Sequence, residues 1–503
     1  MAREKPPAVG LDFGTSTTLV ASHRSVVPIG ASQAWMPSLS GYTEDGLLVV
    51  GEEAQHLPVG RVIRSIKRSI TQPRAYVSVD LPTGVRGVRT DDLVTALLRE
   101  AVRRASAAGQ DLSAKGQLRL GCPAMWDGAQ RRRLVAAARD AGLPVTLASL
   151  VDEPVAAGIA WLAHAGDLAG PRRVLVFDMG GGTLDIAVLD VEGRDVSVLA
   201  ALGTAEAGDA LDEAISGDLD FELGAQGIDV DSLAQPEVAR EMLVDAARTI
   251  KVRLSTEEED VVVLPADVFG RNEVWYTREQ LNRVFAPTMD QAEMYVSAAL
   301  RAAQLAEPGA GTAYDLARTP IDELVDRVDV VVLSGGMTQV PYVEERLRAF
   351  FTPETTIEFA AAPAENAVAI GLAHAAGFGR INRYRPAFDI VVEWDRGREQ
   401  RTVYEAFTPL VQPRQIVDGD GDLRLVRTGT DLALPSKGKG KLRLVSYSDE
   451  RVSATLGDRR LDGFPVLLDE QKFEFSIFPD GRLRLVDGGG TYDGHLDGWV
   501  AGV

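Results

Sequence analysis

One stretch of the chain, residues 174–188, combines an apolar strand, a turn of three glycines and a second strand. Its β-branched first half is typical of a strand in the middle of a sheet. The glycines Gly180–Gly182 allow a tight turn whose backbone N–H groups can approach an anion. Asp178 and Asp185 flank the turn and Thr183 adds a hydroxyl, so the pattern predicts a phosphate loop with Mg²⁺ between phosphate and carboxylates. The alternative is a glycine hairpin with two solvated aspartates.

The same pattern occurs near the start of the chain, over residues 9–20, with Asp12 before the turn Gly14–Thr18. Two such hairpins predict two similar lobes, each contributing an aspartate and a phosphate loop to one cleft. Neither turn is a Walker A loop, because neither ends in Gly-Lys-Ser/Thr or leads directly into a helix. Neither is the G-x-G-x-x-G dinucleotide turn.

Composition excludes several classes of function. The 503 residues carry a net charge of −20, which argues against general binding to nucleic acid or to anionic membranes. The single cysteine, Cys122, excludes an internal disulfide and fits a reducing compartment, and a small core residue is a better interpretation than a nucleophile. Neither a signal peptide nor an apolar run of membrane-spanning length is visible, so we expect a cytoplasmic protein.

Helical periodicity appears at several places before residue 380. The predicted helices cover residues 61–70, 90–108, 128–142, 209–223, 236–254 and 362–379, with others starting at Asp152-Glu153-Pro154, Thr277 and Tyr342. Within them, the simplest interpretation of Lys67, Arg68 and Arg131–Arg133 is a solvated charged face. A helix cap alone would explain the Asp-Glu-Pro start. Residues 209–285 read as a mixed subdomain.

Helical periodicity disappears after residues 379–386. Residues 472–486 alternate apolar and polar side chains around Pro-Asp-Gly, which predicts a β-hairpin. Lys437–Lys441 reads as a flexible turn. We therefore expect a separate β domain over residues 386–503.

Taken in order, these motifs resemble those of an Hsp70-family chaperone. Five segments carry the resemblance, namely residues 10–20, 151–160, 174–188, 331–341 and 365–371. It implies an α/β fold, with an actin-like (ribonuclease-H-like, duplicated) two-lobed ATPase domain over residues 1–380 and a small all-β domain after it. It also implies ATP or ADP and Mg²⁺ as cofactors, and polypeptide binding by a β domain that lacks the helical lid.

The resemblance also implies residue roles. Asp12 and Asp178 would hold the metal through water, and Asp185 and Glu153 would lie at the metal and the attacking water. Catalysis would depend on Lys67, Glu153, Asp178 and Thr183. The phosphate loops would be Gly14, Thr15, Ser16 and Gly180, Gly181, Gly182. Adenosine would contact Lys251, Ser255, Gly335 and Gly336. Pro123 and Arg131 match the pair that relays nucleotide state between domains.

Some positions depart from the family pattern. Val252 and Gln339 stand where two arginines usually stack on adenine, and Ser149 replaces an arginine used by J-domain partners. The interdomain linker is echoed only by Phe388–Val392. Expected partners are unfolded polypeptide or one dedicated protein, with a nucleotide-exchange factor or co-chaperone. The alternatives are a nucleotide-gated adaptor with weak or no ATPase activity, and a filament-forming actin relative or small-molecule kinase.

Overall fold

Two six-stranded sheets form the frame of the first three quarters of the chain. The computed structural model describes residues 8–497 except 59, 73, 115, 167, 169, 271–272, 308–312, 413–414, 417–422 and 448–452. The first sheet has the order Leu150–Asp152, Leu118–Cys122, Val9–Phe13, Thr17–Ser22, Val26–Val27, with Met36–Pro37 also paired to Thr17–Ser22. The second sheet has the order Thr356–Phe359, Val330–Ser334, Arg172–Met179, Leu184–Glu192, Asp195–Thr204, Gly379–Asn382.

The two sheets share one arrangement at their centres. In each, an antiparallel hairpin continues into parallel strands on the side of its first strand. In the second sheet Asp178 lies directly opposite Asp185 across the hairpin and beside Ser334 on the parallel strand. The predicted strand–turn–strand units are confirmed at both places.

Helices cover and connect these sheets. They are Glu52–Gln55, Arg68–Thr71, Thr90–Ala107, Gly128–Asp140, Glu153–Ala165, Gly208–Ala225, Pro236–Arg253, Ala266–Phe269, Arg278–Leu305, Ala313–Arg318, Ile321–Val325, Pro341–Phe350 and Ala367–His374. Short 3-10 turns are Leu147–Ser149, Val230–Ser232, Gly336–Gln339, Ala364–Asn366, Ala375–Gly377 and Asp395–Gly397. Across the described residues, no helix combines the length and apolar character needed to cross a membrane.

Two helices rich in small residues, Glu153–Ala165 and Ala367–His374, pack between the sheets. A methyl group on Gly371 would lie 1.7 Å from the backbone oxygen of Ala156, so the two helix backbones touch. A methyl group on Gly10 would lie 2.2 Å from the backbone oxygen of Ala369, so the second helix also touches the first sheet. The small Ala and Gly side chains of both helices allow this close backbone packing.

Smaller sheets extend from this frame. They are Leu48–Val50, Ser40–Tyr42 and Val62–Ile63; Tyr76–Leu81 and Gly84–Arg89; and Glu259–Val263 and Glu273–Thr277. The last hairpin lies in the predicted mixed subdomain, and the capping box of Thr277 starts the helix that follows it.

The remaining strands form what we call the β region, residues 386–497. One sheet has the order Glu399–Tyr404, Phe388–Trp394, Gly438–Ser446, Pro465–Leu468. The other has the order Leu425–Thr428, Glu474–Ile477, Arg482–Asp487, Gly490–Leu496, Ala454–Leu456, Arg459–Arg460. The apolar side chains of both sheets, Phe388 and Phe475 among them, form one core. The hairpin predicted around Pro-Asp-Gly is confirmed, with Ile477 opposite Leu483.

Several local predictions are wrong. The helix predicted over residues 61–70 is replaced by a short strand, Val62–Ile63, and one helical turn, Arg68–Thr71. The strand forms because Val62–Ile63 pairs with the strand Ser40–Tyr42. The predicted turn Lys437–Lys441 runs into the strand Gly438–Ser446, and Phe388–Val392 is part of an inner strand of the β region. The helix predicted over residues 362–379 covers only Ala367–His374, with a 3-10 turn on either side.

Candidate functional site

The two glycine turns meet face to face. A methyl group built on Gly181 would lie 2.3 Å from Ser16 Oγ, and one on Gly182 would lie 2.5 Å from Thr15 Oγ1. Each turn is closed by a backbone bond, from Gly14 N to the oxygen of Thr17 at 2.9 Å and from Gly180 N to the oxygen of Thr183 at 3.0 Å. The prediction that the turns of the two hairpins lie together is confirmed.

Four carboxylates are buried beside these turns, on Asp12, Glu153, Asp178 and Asp185. Burial and the charge of Glu153 raise the pKa of Asp12 and of Asp178 to about 7. The same causes, together with the charge of Asp178, raise the pKa of Asp185 to about 8. These shifts record an excess of negative charge in a place with little water.

Lys67 is the cation of this group. Its Nζ donates to Glu153 Oε1 at 2.6 Å, and both side chains are buried. Burial alone would lower the pKa of Lys67, but the charges of Glu153 and Asp12 and the hydrogen bond to Glu153 raise it, so the ammonium stays charged. The interpretation of Lys67 as part of a solvated helix face is wrong. The side chain is buried, and its Nζ lies 5.9 Å from the centre of the Trp126 ring.

Backbone amides from the first sheet hold Asp185 in place. Its Oδ1 accepts a hydrogen bond from Ala124 N at 2.8 Å and a longer one from Met125 N at 3.4 Å. Both amides come just after Pro123, at the end of the strand Leu118–Cys122. The hydroxyls of Thr183 and Ser334 act on the carboxyls of Asp185 and Asp178 respectively and lower the pKa of each, in opposition to burial. The Asp185 carboxylate of the second sheet is therefore oriented partly by backbone that follows a strand of the first.

Gly335 and Gly336 follow the strand Val330–Ser334 and lie next to the second turn. Gly335 has φ +84°, and a methyl group there would lie 2.3 Å from the oxygen of Met179, so only glycine fits. A methyl group on Gly336 would meet no atom within 4 Å. The backbone at Gly336 thus offers an open surface next to the carboxylates.

The predicted adenosine contacts on the helix Pro236–Arg253 have partners within the protein. Lys251 Nζ lies 2.5 Å from Asp212 Oδ1 and 3.3 Å from the oxygen of Gly208. Ser255 Oγ donates to the oxygen of Lys251 at 3.2 Å. Val252 is 68% exposed, and Gln339 Nε2 donates to Glu365 Oε2 at 3.1 Å.

Sequence reasoning missed a second buried ion pair next to the first. Arg131, read locally as an outer face, is 2% exposed, and its Nη2 lies 2.7 Å from Asp152 Oδ1. Its Nε donates to the oxygen of Trp126 at 2.9 Å, and the ring of Phe407 in the β region lies 4.7 Å away. Asp152 is the N-cap residue of its helix but makes no side-chain cap bond, so a cap does not explain it. The family motif was the signal for Arg131; local periodicity was not.

The charge distribution can be tested against a bound metal. Four buried carboxylates face one ammonium, and a divalent cation would balance the excess. Within the described ranges, no three Asp, Glu, His or Cys side chains converge closely enough to ligate one ion directly. The residues therefore fit a cation held through water rather than in a closed protein cage.

The fold and the site define a class of protein, a mixed α/β chain whose two sheets meet at a glycine- and carboxylate-lined cleft, with an all-β region after it. Comparison with known proteins gives the family. A family model described as Hsp70 protein matches residues 89–383. The chaperone protein DnaK of Thermotoga neapolitana is 29% identical over 396 residues, covering 74% of this chain and 59% of DnaK. The chaperone protein HscA homolog of Burkholderia cenocepacia is 31% identical over 369 residues, covering 68% of this chain and 54% of its own length.

The chain belongs to the Hsp70 family. It matches between half and three fifths of the length of these curated relatives.

Proposed function

We propose that this protein is an Hsp70-type chaperone ATPase that binds ATP with Mg²⁺ in the cleft and hydrolyses it. The observation that carries the proposal is the meeting of two glycine turns beside four buried carboxylates and Lys67. The shared strand arrangement of the two sheets supports a duplicated, actin-like fold of the ribonuclease-H type. In this proposal the nucleotide-binding domain covers residues 1–380 and the β domain residues 386–503.

The phosphates would be held by the chain's own turns. Backbone N–H groups of Gly180–Gly182 and of Gly14–Ser16 would surround them from two sides, and the Lys67 ammonium would offset their charge. Asp12, Asp178 and Asp185 would hold Mg²⁺ through water, and the ion would neutralise part of the charge on the phosphates.

Hydrolysis needs a water molecule placed in line with the terminal phosphate. Lys67, Glu153 and Asp185 would orient it together, since Lys67 contacts Glu153 and the charge of Asp185 acts on Lys67. The Thr183 hydroxyl, next to Asp185, would contact the terminal phosphate. Gly335 and Gly336 would support the nucleoside, with Lys251 and Ser255 at its far side.

Nucleotide state would reach the β domain through the contact at Phe407. The Arg131 guanidinium packs on this ring and pairs with Asp152, which directly precedes Glu153 in the site. Arg132 also pairs with Glu405 across the same junction. A change at Glu153 can therefore move groups that touch the β region. Unfolded polypeptide would be the ligand of that region, and a co-chaperone or exchange factor would set the rate.

A second function, a nucleotide-gated adaptor for one protein partner, is favoured by the residues at the proposed adenosine-binding position. Val252 is largely exposed and Gln339 is bonded to Glu365, so neither presents a planar cation to a base. The Ser149 hydroxyl accepts a hydrogen bond from Thr146 N at 3.0 Å within a turn, rather than offering a charge to a partner. Weak nucleotide binding with little turnover would follow.

The experiment that tests the proposal follows phosphate release from Mg·ATP by the wild type and by Asp185→Asn. We expect turnover to fall about 100-fold, in the range of lost orienting groups at such sites. Asp190→Asn is the matched control, because Asp190 lies on the same strand but pairs with Arg173 outside the cleft. Equal turnover in all three proteins would contradict a role for Asp185 in the proposed site, and no turnover in the wild type would leave the adaptor as the better proposal.

A further inference from the structure

A cavity of about 260 Å³ lies where the β region meets the edge of the first sheet. Its walls come from both sides of this junction. The charged residues that line it are four arginines and one carboxylate, namely Arg119, Arg131, Arg380, Arg385 and Asp152. A wall so rich in arginine is unexpected in a chain whose net charge is −20. The cavity is distinct from the nucleotide cleft, because the glycine turns do not line it.

Arg385 is the residue in this wall that is best placed to bind an anion. It is 5% exposed, and its Nη1 donates to the oxygen of Phe407 at 3.0 Å. Its Nε is buried without a hydrogen-bond partner, and within the described part of the chain Arg385 forms no ion pair. Guanidinium groups keep their charge in proteins, so this is a buried positive charge whose side-chain hydrogen bond goes to a neutral backbone oxygen. Burial lowers the pKa of Arg385, which records how unfavourable that position is.

The carboxylate in the wall, that of Asp152, already has two partners within the protein. Asp152 Oδ1 lies 2.7 Å from Arg131 Nη2, and its Oδ2 accepts a hydrogen bond from Asn382 Nδ2 at 3.2 Å. A second carboxylate at this junction, Asp389, accepts hydrogen bonds from Tyr447 Oη and Ala406 N, both at 2.7 Å. Among the described residues, neither carboxylate forms an ion pair with Arg385. The charge of Arg385 can therefore be paired by an anion from outside the protein.

We propose that this cavity binds a small oxyanion, of the phosphate or the carboxylate type, with Arg385 as its principal ligand. The planar guanidinium would present Nε and an Nη group to two oxygens of the anion. The anion would touch groups from both sides of the junction. Arg131 belongs to the α/β part, while Arg385 directly precedes the β region and donates to the oxygen of Phe407 within it. Binding would therefore stabilise the contact between the two parts. This proposal does not rest on ATP binding or hydrolysis.

The test is calorimetric titration of inorganic phosphate, and separately of citrate, into the full chain without nucleotide. We expect one of the two to bind, and Arg385→Met to weaken that binding at least about tenfold, because a charge-assisted pair is lost. Lys67→Met removes the cation of the nucleotide cleft instead and is the matched control, with affinity expected to stay within about twofold. Phosphate binding alone identifies a phosphate-type ligand, and citrate binding alone a carboxylate-type ligand.

A second variant guards against loss of folding in Arg385→Met. Asp152→Asn removes the negative charge of the wall, so it is expected to tighten anion binding several-fold, which a damaged fold would not do. The proposal is overturned if neither anion binds the wild type, if Lys67→Met removes the binding, or if Asp152→Asn fails to tighten it.

Discussion

The closeness of the two glycine turns makes Gly182→Ala the most informative single change. The methyl group would lie 2.5, 2.7 and 3.0 Å from Oγ1, Cγ2 and Cβ of Thr15. Both branches and the Cβ of Thr15 are in the way, so turning its side chain does not relieve the overlap. The backbone of Gly182 lies outside the left-handed region, so alanine brings no strain of its own.

The size of the effect follows from these distances. Relief to ordinary contact at about 3.4 Å requires the turns to separate by about 0.9 Å, and a misplacement of about 1 Å costs about 100-fold in rate. This corresponds to about 2.7 kcal/mol of transition-state stabilisation. We expect single-turnover phosphate release to fall by about that factor, while the melting temperature changes little because the turns can part.

Gly180→Ala is the matched control in the same turn. Its methyl group would lie 3.7 Å from the oxygen of Thr183, which is ordinary contact, so its rate should stay within about threefold of the wild type. If Gly182→Ala hydrolyses ATP as fast as Gly180→Ala does, the turns do not grip the phosphates together and the reasoning is refuted.

Three further predictions concern the buried groups. Lys67→Met should bind ATP yet lose at least about 100-fold in turnover, as measured by calorimetry and phosphate release, because the ammonium acts on the transferred phosphoryl group; unchanged turnover would contradict this. Gly371→Ala should lower the free energy of unfolding by about 1–3 kcal/mol in urea titrations, because its methyl group overlaps the Ala156 backbone. The control Gly217→Ala, on an open helix surface, should leave the free energy of unfolding unchanged or raise it by up to about 1 kcal/mol. Equal effects of the two changes would contradict the close packing at Gly371. Burial raises the pKa of the Cys122 thiol, so a thiol reagent at pH 8 should label it only after unfolding, and rapid labelling of the native protein would show that the strand is open.

The parts of the fold that follow from local pattern could be predicted from sequence. The hairpins around Gly14 and Gly180–Gly182 need glycine, aspartate and β-branched residues within about a dozen positions, so one window contains the whole signal. The helix starting at Glu153 likewise has its proline and small residues together.

What failed depends on partners far along the chain. Lys67 does not lie on a solvated helix face, because it is buried and paired with Glu153, which is 86 residues later in the chain. Arg131 is buried because Asp152 and Phe407 enclose its guanidinium. A charged residue at helical spacing reads as an outer face unless its counter-charge is known, and only the tertiary fold, or a family motif, supplies that information.

The strand Phe388–Trp394 shows the same limit for β structure. Its apolar run resembled a linker, but pairing with Glu399–Tyr404 on one side and Gly438–Ser446 on the other makes it an inner strand. The Lys-Gly alternation at Lys437–Lys441 reads as a turn, although the ladder continues through Gly438 and Gly440. Tertiary pairing overrides weak β propensity at such positions.

The two glycine turns and the buried carboxylates should together form a working Mg·ATP site. The most direct measurement is calorimetric titration of ATP into the wild-type protein with Mg²⁺ and again with a chelator, with phosphate release followed in the same samples. We expect saturable one-to-one binding with Mg²⁺, at least tenfold weaker binding with the chelator, and phosphate release only when Mg²⁺ is present. Absence of ATP binding, or binding and turnover indifferent to the chelator, would contradict it.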